Sequence, residues 1–238
     1  MAMIADNLAA LRQRIAAACL AAGRPVQSIT LLAVSKTMGA QAVREAHGCG
    51  QTQFGENYVQ EAVEKITALA ELREQLQWHM IGPLQANKTR LIAETFDWVH
   101  SVDRLRVAQR LSEQRPPAMG PLQICLQVNV SGEASKAGVA PAELVELAAA
   151  VSRLPGLRLR GLMSIPQPSS DAAVQHASHR ALREMMVSLQ SCPLALDTLS
   201  MGMTADLEAA IAEGSTMVRV GTAIFGARPA LRVAGRFG

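Results

Sequence analysis

Short apolar runs rich in β-branched residues alternate along this chain with longer stretches in which apolar residues recur at helical spacing. That alternation restricts the fold more than any other feature of the sequence. Strands read over residues 29–34, 52–54, 77–81 and 98–102, then over 122–130, 157–163, 198–201 and 217–220. Helical patterns with an apolar stripe separate them, among others over 57–72, 142–154, 171–190 and 205–213. Strand–helix alternation of this kind builds a parallel sheet with crossover helices, and eight strands close into a barrel more naturally than they form an open sheet. The expected fold is therefore α/β, a single (β/α)₈ TIM barrel, and 238 residues match the roughly 250 typical of one.

Nothing in the sequence divides this unit. No Ser/Gly linker or low-complexity tract interrupts it, and the segment from Arg115-Pro116-Pro117 to Gly120-Pro121 reads as a rigid loop before the fifth strand. One domain is expected over 1–238, with 4–22 as an N-terminal helix covering one end of the barrel: Leu8, Leu11, Ile15 and Cys19 fall on one face behind an Asp6 or Asn7 cap. The same segment does not read as a signal peptide. Asp6 stands where a positive charge belongs, and Arg12 and Arg14 interrupt the apolar stretch.

Composition removes several classes of partner. No apolar run approaches the roughly 18 residues of a membrane span. Lys and Arg total 23 against 20 Asp and Glu, a dispersed net charge of +3, and aromatics make up 3%, which supplies neither the field nor the stacking platform for nucleic acid. Cys19, Cys49, Cys125 and Cys192 form no CxxC pair or zinc spacing and read as small buried apolar residues in a reducing cytoplasm.

In such barrels the active face lies at the C-terminal ends of the strands, so polar residues just after a strand carry the most weight. Here those ends are Ser35-Lys36-Thr37, Gly55-Glu56-Asn57, Gly82, Asn129, Ser164, Ser200-Met201-Gly202-Met203 and Gly221-Thr222. Lys36 follows the apolar run 31–34 and reaches the rim. It reads either as a partly desolvated amine able to attack a carbonyl or as an ammonium in water. Barrels of this type frequently hold a phosphate after strands seven and eight, where Ser200 and Thr222 offer hydroxyls and Gly202 and Gly221 allow close backbone approach; two ordinary turns are the alternative. Together, a Schiff-base lysine and a phosphate cradle would suit a phosphorylated aldehyde.

Arg219 lies inside the eighth strand, where a permanent charge needs a partner: an ion pair with Glu56 or Asp206, or a heteroaromatic nitrogen to which it donates. His176 and His179, three apart on a helix, have no third metal ligand and are expected at the surface, so no metal site is expected. His79 is expected as a core histidine held by a hydrogen bond.

The motifs LLAVSKT at 31–37, FGENYVQEA at 54–62, WHMIGPLQANK at 78–88, GLMSIP at 161–166 and LSMGMTADLEAAIAEGSTMVRVGTAIFGAR at 199–228 run over nearly the whole chain. They resemble the pyridoxal phosphate homeostasis protein family, whose barrel is similar to the N-terminal domain of alanine racemase and the fold-type III enzymes of pyridoxal 5′-phosphate (PLP), without their second, β-rich domain. By this resemblance Lys36 would carry PLP as a Schiff base. Ser200, Gly221 and Thr222 would hold its phosphate, Arg219 would face the pyridine nitrogen, and Asn57 and Ser164 would line the pocket. Lys136 matches a position implicated in a secondary PLP site.

The resemblance implies a cytoplasmic monomer that buffers PLP or delivers it to PLP-dependent apoenzymes, with no catalytic residue of its own. A PLP-dependent amino acid racemase or a related fold-type III enzyme is the alternative, and an aldolase-like Schiff-base enzyme for sugar phosphates is a third reading of the lysine and phosphate cradle. The racemase needs a second base opposite the lysine, and the only tyrosine, Tyr58, is poorly placed at the start of a helix.

Overall fold

A computed structural model describes residues 2–133, 137–189 and 194–226. Helix α1 (Ala2–Ala21) comes first, followed by β1 (Thr30–Val34), α2 (Ala40–Gly48), β2 (Gln53–Glu56), α3 (Val59–Ala68), β3 (Gln77–Met80) and α4 (Thr89–Thr95). The chain continues through β4 (Trp98–Val102), α5 (Leu105–Gln114), β5 (Leu122–Gln127), α6 (Leu144–Val151), β6 (Leu157–Met163) and α7 (Ala172–Leu189). It closes with β7 (Thr198–Ser200), α8 (Leu207–Ala212), β8 (Met217–Val220) and the short α9 (Thr222–Phe225).

The strands pair in parallel in sequence order, and β8 returns to β1 with Leu32 opposite Arg219, closing the expected eight-stranded barrel. Period-two alternation then sorts the side chains. One set, including Ala33, Phe54, Trp78, Val99, Ile124, Leu162 and Val218, joins the main core between strands and helices. The other set faces inward, where Leu32, Val34, Ile81 and Met217 form one small cluster and Trp98, Cys125 and Met163 another. Gly55 belongs to this inner set: a Cβ there would meet Ile81 at 3.1 Å and Leu32 at 3.2 Å. His79, His100, Ser200 and Arg219 share the inward register of these residues, so a polar chain crosses the barrel interior from β3 and β4 to β7 and β8.

Three features differ from the sequence expectations. Helix α1 already begins at Ala2, so Asp6 and Asn7 lie inside it and neither caps its start. Strand β5 ends at Gln127 instead of running to 130, because Val128 pairs with Val139 and the Asn129 N–H donates to the Val139 carbonyl at 3.0 Å. Helix α1 does not lie over an end of the barrel. It packs lengthwise against α8, α9 and α2 in the outer layer, where Leu8, Leu11, Ile15 and Cys19 are buried. Asn7 donates to the Ile224 carbonyl at 2.9 Å and Arg14 pairs with Glu208 at 2.5 Å. An apolar stripe requires a surface to cover, and the wall formed by α8, α9 and α2 supplies it.

Candidate functional site

Lys36 sits in the turn just beyond the C-terminal end of β1, two residues after Val34, whose side chain joins the inner cluster. It is the second residue of a turn closed by the Met38 N–H donating to the Ser35 carbonyl at 3.0 Å. Its neighbours are tied to a buried charge cluster beneath α3. The Ser35 hydroxyl donates to Glu56 Oε1 at 2.6 Å, and Lys65 Nζ donates to Glu56 Oε1 at 2.5 Å, to the Ser35 carbonyl at 2.8 Å and to Glu61 Oε1 at 3.1 Å. Glu61 Oε1 also accepts from the Thr37 N–H at 2.6 Å. Burial pushes the Glu56 carboxyl up, and Lys65 and Ser35 oppose that push.

Arg219 is 5% exposed. Neither carboxylate considered from the sequence pairs with it: Glu56 is held by Lys65, and Asp206 lies 3.0 Å from His179. Arg219 instead donates from Nη1 to the Ser200 carbonyl at 2.5 Å and hydroxyl at 2.7 Å, and from Nη2 to the Ser164 carbonyl at 2.8 Å. Burial pulls it down to about 10, with Asp206 opposing at longer range, so it stays a cation at neutral pH. A buried cation satisfied by neutral oxygens alone is costly. Behind Ser200 runs a histidine chain. His100 Nδ1 is 2.8 Å from Ser200 Oγ, and His79 Nδ1 is 2.9 Å from His100 Nε2, with the His79 ring stacked on Trp98. Burial lowers His79 to about 3 and, with His79 and Arg219 as neighbours, takes His100 well below its ordinary value, so both rings are neutral.

The loop after β7 is clamped from the side. Asp206 Oδ1 accepts from the Met203 N–H at 2.6 Å while Oδ2 meets His179 Nε2. His179 is therefore fully buried, contrary to the surface position expected for it, because the carboxylate beneath the loop requires a partner; only His176 is partly exposed, against Glu213 at 3.0 Å. Gly202 has φ +94° and packs so that a Cβ would lie 2.5 Å from that of Ala210. Gly221 precedes α9, with Thr222 exposed at its first position and Val34 O 3.0 Å from a Cβ built on the glycine.

Two expected lining residues carry buried oxygens without a hydrogen-bond partner, Asn57 Oδ1 and Ser164 Oγ. Asn57 borders a cavity of about 640 Å³ at the mouth, with Ile81, Ser101, Asp103, Gln127 and Ile165. A larger cavity, about 850 Å³, opens at the opposite face. Two ion pairs line it, Arg73 with Asp97 at 2.7 Å and Arg160 with Asp197 at 2.6 Å, and that face of a barrel serves stability.

The model of the alanine racemase N-terminal domain family matches residues 6–229. The Pseudomonas aeruginosa pyridoxal phosphate homeostasis protein is 61% identical over 96% of this chain and 97% of its own, and that of Escherichia coli K12 is 57% identical over 94% and 97%. The chain belongs to the pyridoxal phosphate homeostasis protein family. Among solved structures, PipY of Synechococcus elongatus with PLP bound is 41% identical, with a TM-score of 0.83 over 94% of this chain and all of that one. The barrel of Corynebacterium glutamicum alanine racemase, at 15% identity and a TM-score of 0.71, shares the fold. The names of these homeostasis proteins designate no reaction.

For this member of the homeostasis family, the structure brings Ser164, Ser200 and Arg219 into direct contact, and places Lys36, Asn57, Gly221 and Thr222 at neighbouring strand ends. Lys136 and Cys192 lie outside the described residues. Sequence reading missed His100, Lys65 and Glu61. A histidine two residues after Trp98, in the apolar run 98–102, is the mark that could have pointed to His100, whereas helix residues such as Lys65 and Glu61 carry no sequence mark of a buried pairing.

Proposed function

We propose that this chain holds PLP reversibly at the mouth of its barrel, with Lys36 as the attachment point, and serves PLP homeostasis as a holder of the cofactor. The observation that carries this reading is Arg219: a buried, donor-only cation without a carboxylate partner among the described residues, beside the orphaned Ser164 hydroxyl. That donor set suits an unprotonated heteroaromatic nitrogen, and would repel a protonated one. PLP, when bound, supplies an aldehyde that adds a lysine amine reversibly and a ring that can store charge from a bound amino group.

The chain's own residues account for the rest. Lys36 would take the aldehyde end, Asn57 and Ser164 would line the ring, and Gly221 and Thr222 would receive the phosphate at backbone and hydroxyl donors. Ser200 was expected at the phosphate as well, but its hydroxyl is already shared by Arg219 and His100, which favours a role in aiming the guanidinium. Because Arg219 cannot hold a proton on the ring nitrogen, the site is poor at drawing electrons from a substrate. Tyr58 is 58% exposed, which weighs against a racemase with Tyr58 as its second base.

Delivery to PLP-dependent apoenzymes, action as a monomer and a cytoplasmic setting belong to the same proposal. The free thiols of Cys19, Cys49 and Cys125 fit a reducing compartment, and no helix among the described residues is long and apolar enough to cross a membrane. The test is a PLP titration of wild type and Lys36→Ala followed by visible absorbance. Wild type should develop a protein-bound band that the folded variant lacks; an unchanged band in Lys36→Ala would overturn the assignment.

A further inference from the structure

The turn that carries Lys36 has an unusual third residue. Thr37 has φ +67°, the only positive φ at a non-glycine residue among the described residues. With Lys36 at negative φ, Thr37 at positive φ and the Ser35–Met38 hydrogen bond, the turn is of type II, whose third position favours Gly or Asn and disfavours a β-branched side chain. Type I, which Thr tolerates, differs from type II mainly by a flip of the central peptide, here the one joining Lys36 to Thr37.

The N–H of that same peptide is the one received by Glu61 Oε1 at 2.6 Å. Glu61 is in turn held by Lys65, whose side chain is 3% exposed and which also anchors Ser35 through its carbonyl and through Glu56. We propose that Glu61, fixed by Lys65, is a positioning residue for Lys36: its carboxylate holds the 36–37 peptide in the type II orientation that Thr37 would otherwise abandon. The flip changes Lys36 ψ from roughly +120° to about −30° and so changes the side-chain rotamers open to the amine. The inference rests on Lys36 being the PLP attachment point.

The test uses Glu61→Ala, Glu61→Gln, Thr37→Gly and the Glu61→Ala/Thr37→Gly double variant of the full chain. Two readouts are followed: the rate of PLP capture at Lys36, and, in the protein before PLP is added, the Thr37 coupling constant between Hα and the preceding carbonyl carbon, which is large at positive φ and small near about −90°. Glu61→Ala should slow capture by about tenfold in a protein that remains folded, and shift the coupling constant. Glu61→Gln, which keeps an acceptor oxygen, should retain most of the wild-type rate. Glycine prefers the type II position, so Thr37→Gly should make Glu61 dispensable and restore the double variant to within roughly threefold of wild type.

Wild-type capture and an unshifted coupling constant in Glu61→Ala would overturn the proposal, as would a double variant as slow as Glu61→Ala. Capture by a different lysine in wild type would instead overturn the attachment point, and the coupling constants would still decide whether Glu61 sets the turn.

Discussion

Arg219 and Ser200 meet across the β7–β8 pair, where the guanidinium donates to both the carbonyl and the hydroxyl of the serine, at 2.5 Å and 2.7 Å. The contact aims a buried guanidinium that has no carboxylate partner among the described residues, and it separates the role of Ser200 from that of Thr222.

That separation is measurable. Thr222→Val should weaken PLP by about tenfold and unphosphorylated pyridoxal far less, since a hydrogen bond to a charged group is worth ~1.5 to 3 kcal/mol. Ser200→Ala should weaken both ligands to a similar degree, because its effect passes through Arg219. Equilibrium titrations with the two ligands provide the comparison; selective loss of PLP in Ser200→Ala would return Ser200 to the phosphate.

Arg219→Glu reverses the chemistry at the ring nitrogen. A carboxylate accepts a proton shared with the ring, which deepens its capacity to take up charge from a bound amino acid. Formation of 2-oxo acid from an added amino acid should rise by about tenfold or more, equivalent to ~1.4 kcal/mol off the barrier, provided PLP occupancy is retained. Unchanged production at full occupancy would remove this role from Arg219.

The histidine chain predicts acid sensitivity above the carboxylate range. Burial lowers His79 to about 3 and His100 well below its ordinary value. As pH falls below about 6.5 the unfolded chain binds protons that the folded chain refuses, so stability is intact above that value and declines toward acid by ~1.4 kcal/mol per pH unit for each imidazole. Denaturant melts between pH 6.5 and 5, where ordinary carboxylates stay ionised, should show this slope, and His100→Gln should reduce it.

Lys65→Met should cost ~3–5 kcal/mol, because it leaves the Glu56 carboxylate buried without its cation. Adding Glu56→Gln should recover a large part of that loss. Urea unfolding of the single and double variants measures the coupling, and additive losses would contradict the pairing.

These cases mark what could be read along the chain and what required the third dimension. Strands such as Trp98–Val102, Leu157–Met163 and Met217–Val220 fall where apolar runs and turns place them, since local periodicity decides both. Lys36, Arg219 and the glycines after β7 and β8 were visible because a barrel converts strand-end position into site position. The stripe of α1 announced a buried face without specifying which surface it covers. Partner choice was likewise hidden: Glu56 and Asp206 were both candidates for Arg219, and it is the fold that gives one to Lys65 and the other to His179. The left-handed Thr37 had no signal at all, because threonine is a residue that local preference keeps out of that conformation.

The central claim is that Lys36 is the amine that holds PLP, and reductive trapping tests it most directly. Wild-type protein is loaded with PLP, reduced with borohydride, digested and mapped by mass spectrometry. The pyridoxyl label should appear on the peptide containing Lys36 and disappear in Lys36→Ala. A label found on Lys88 or Lys136 alone, with Lys36 unmodified, would contradict the account.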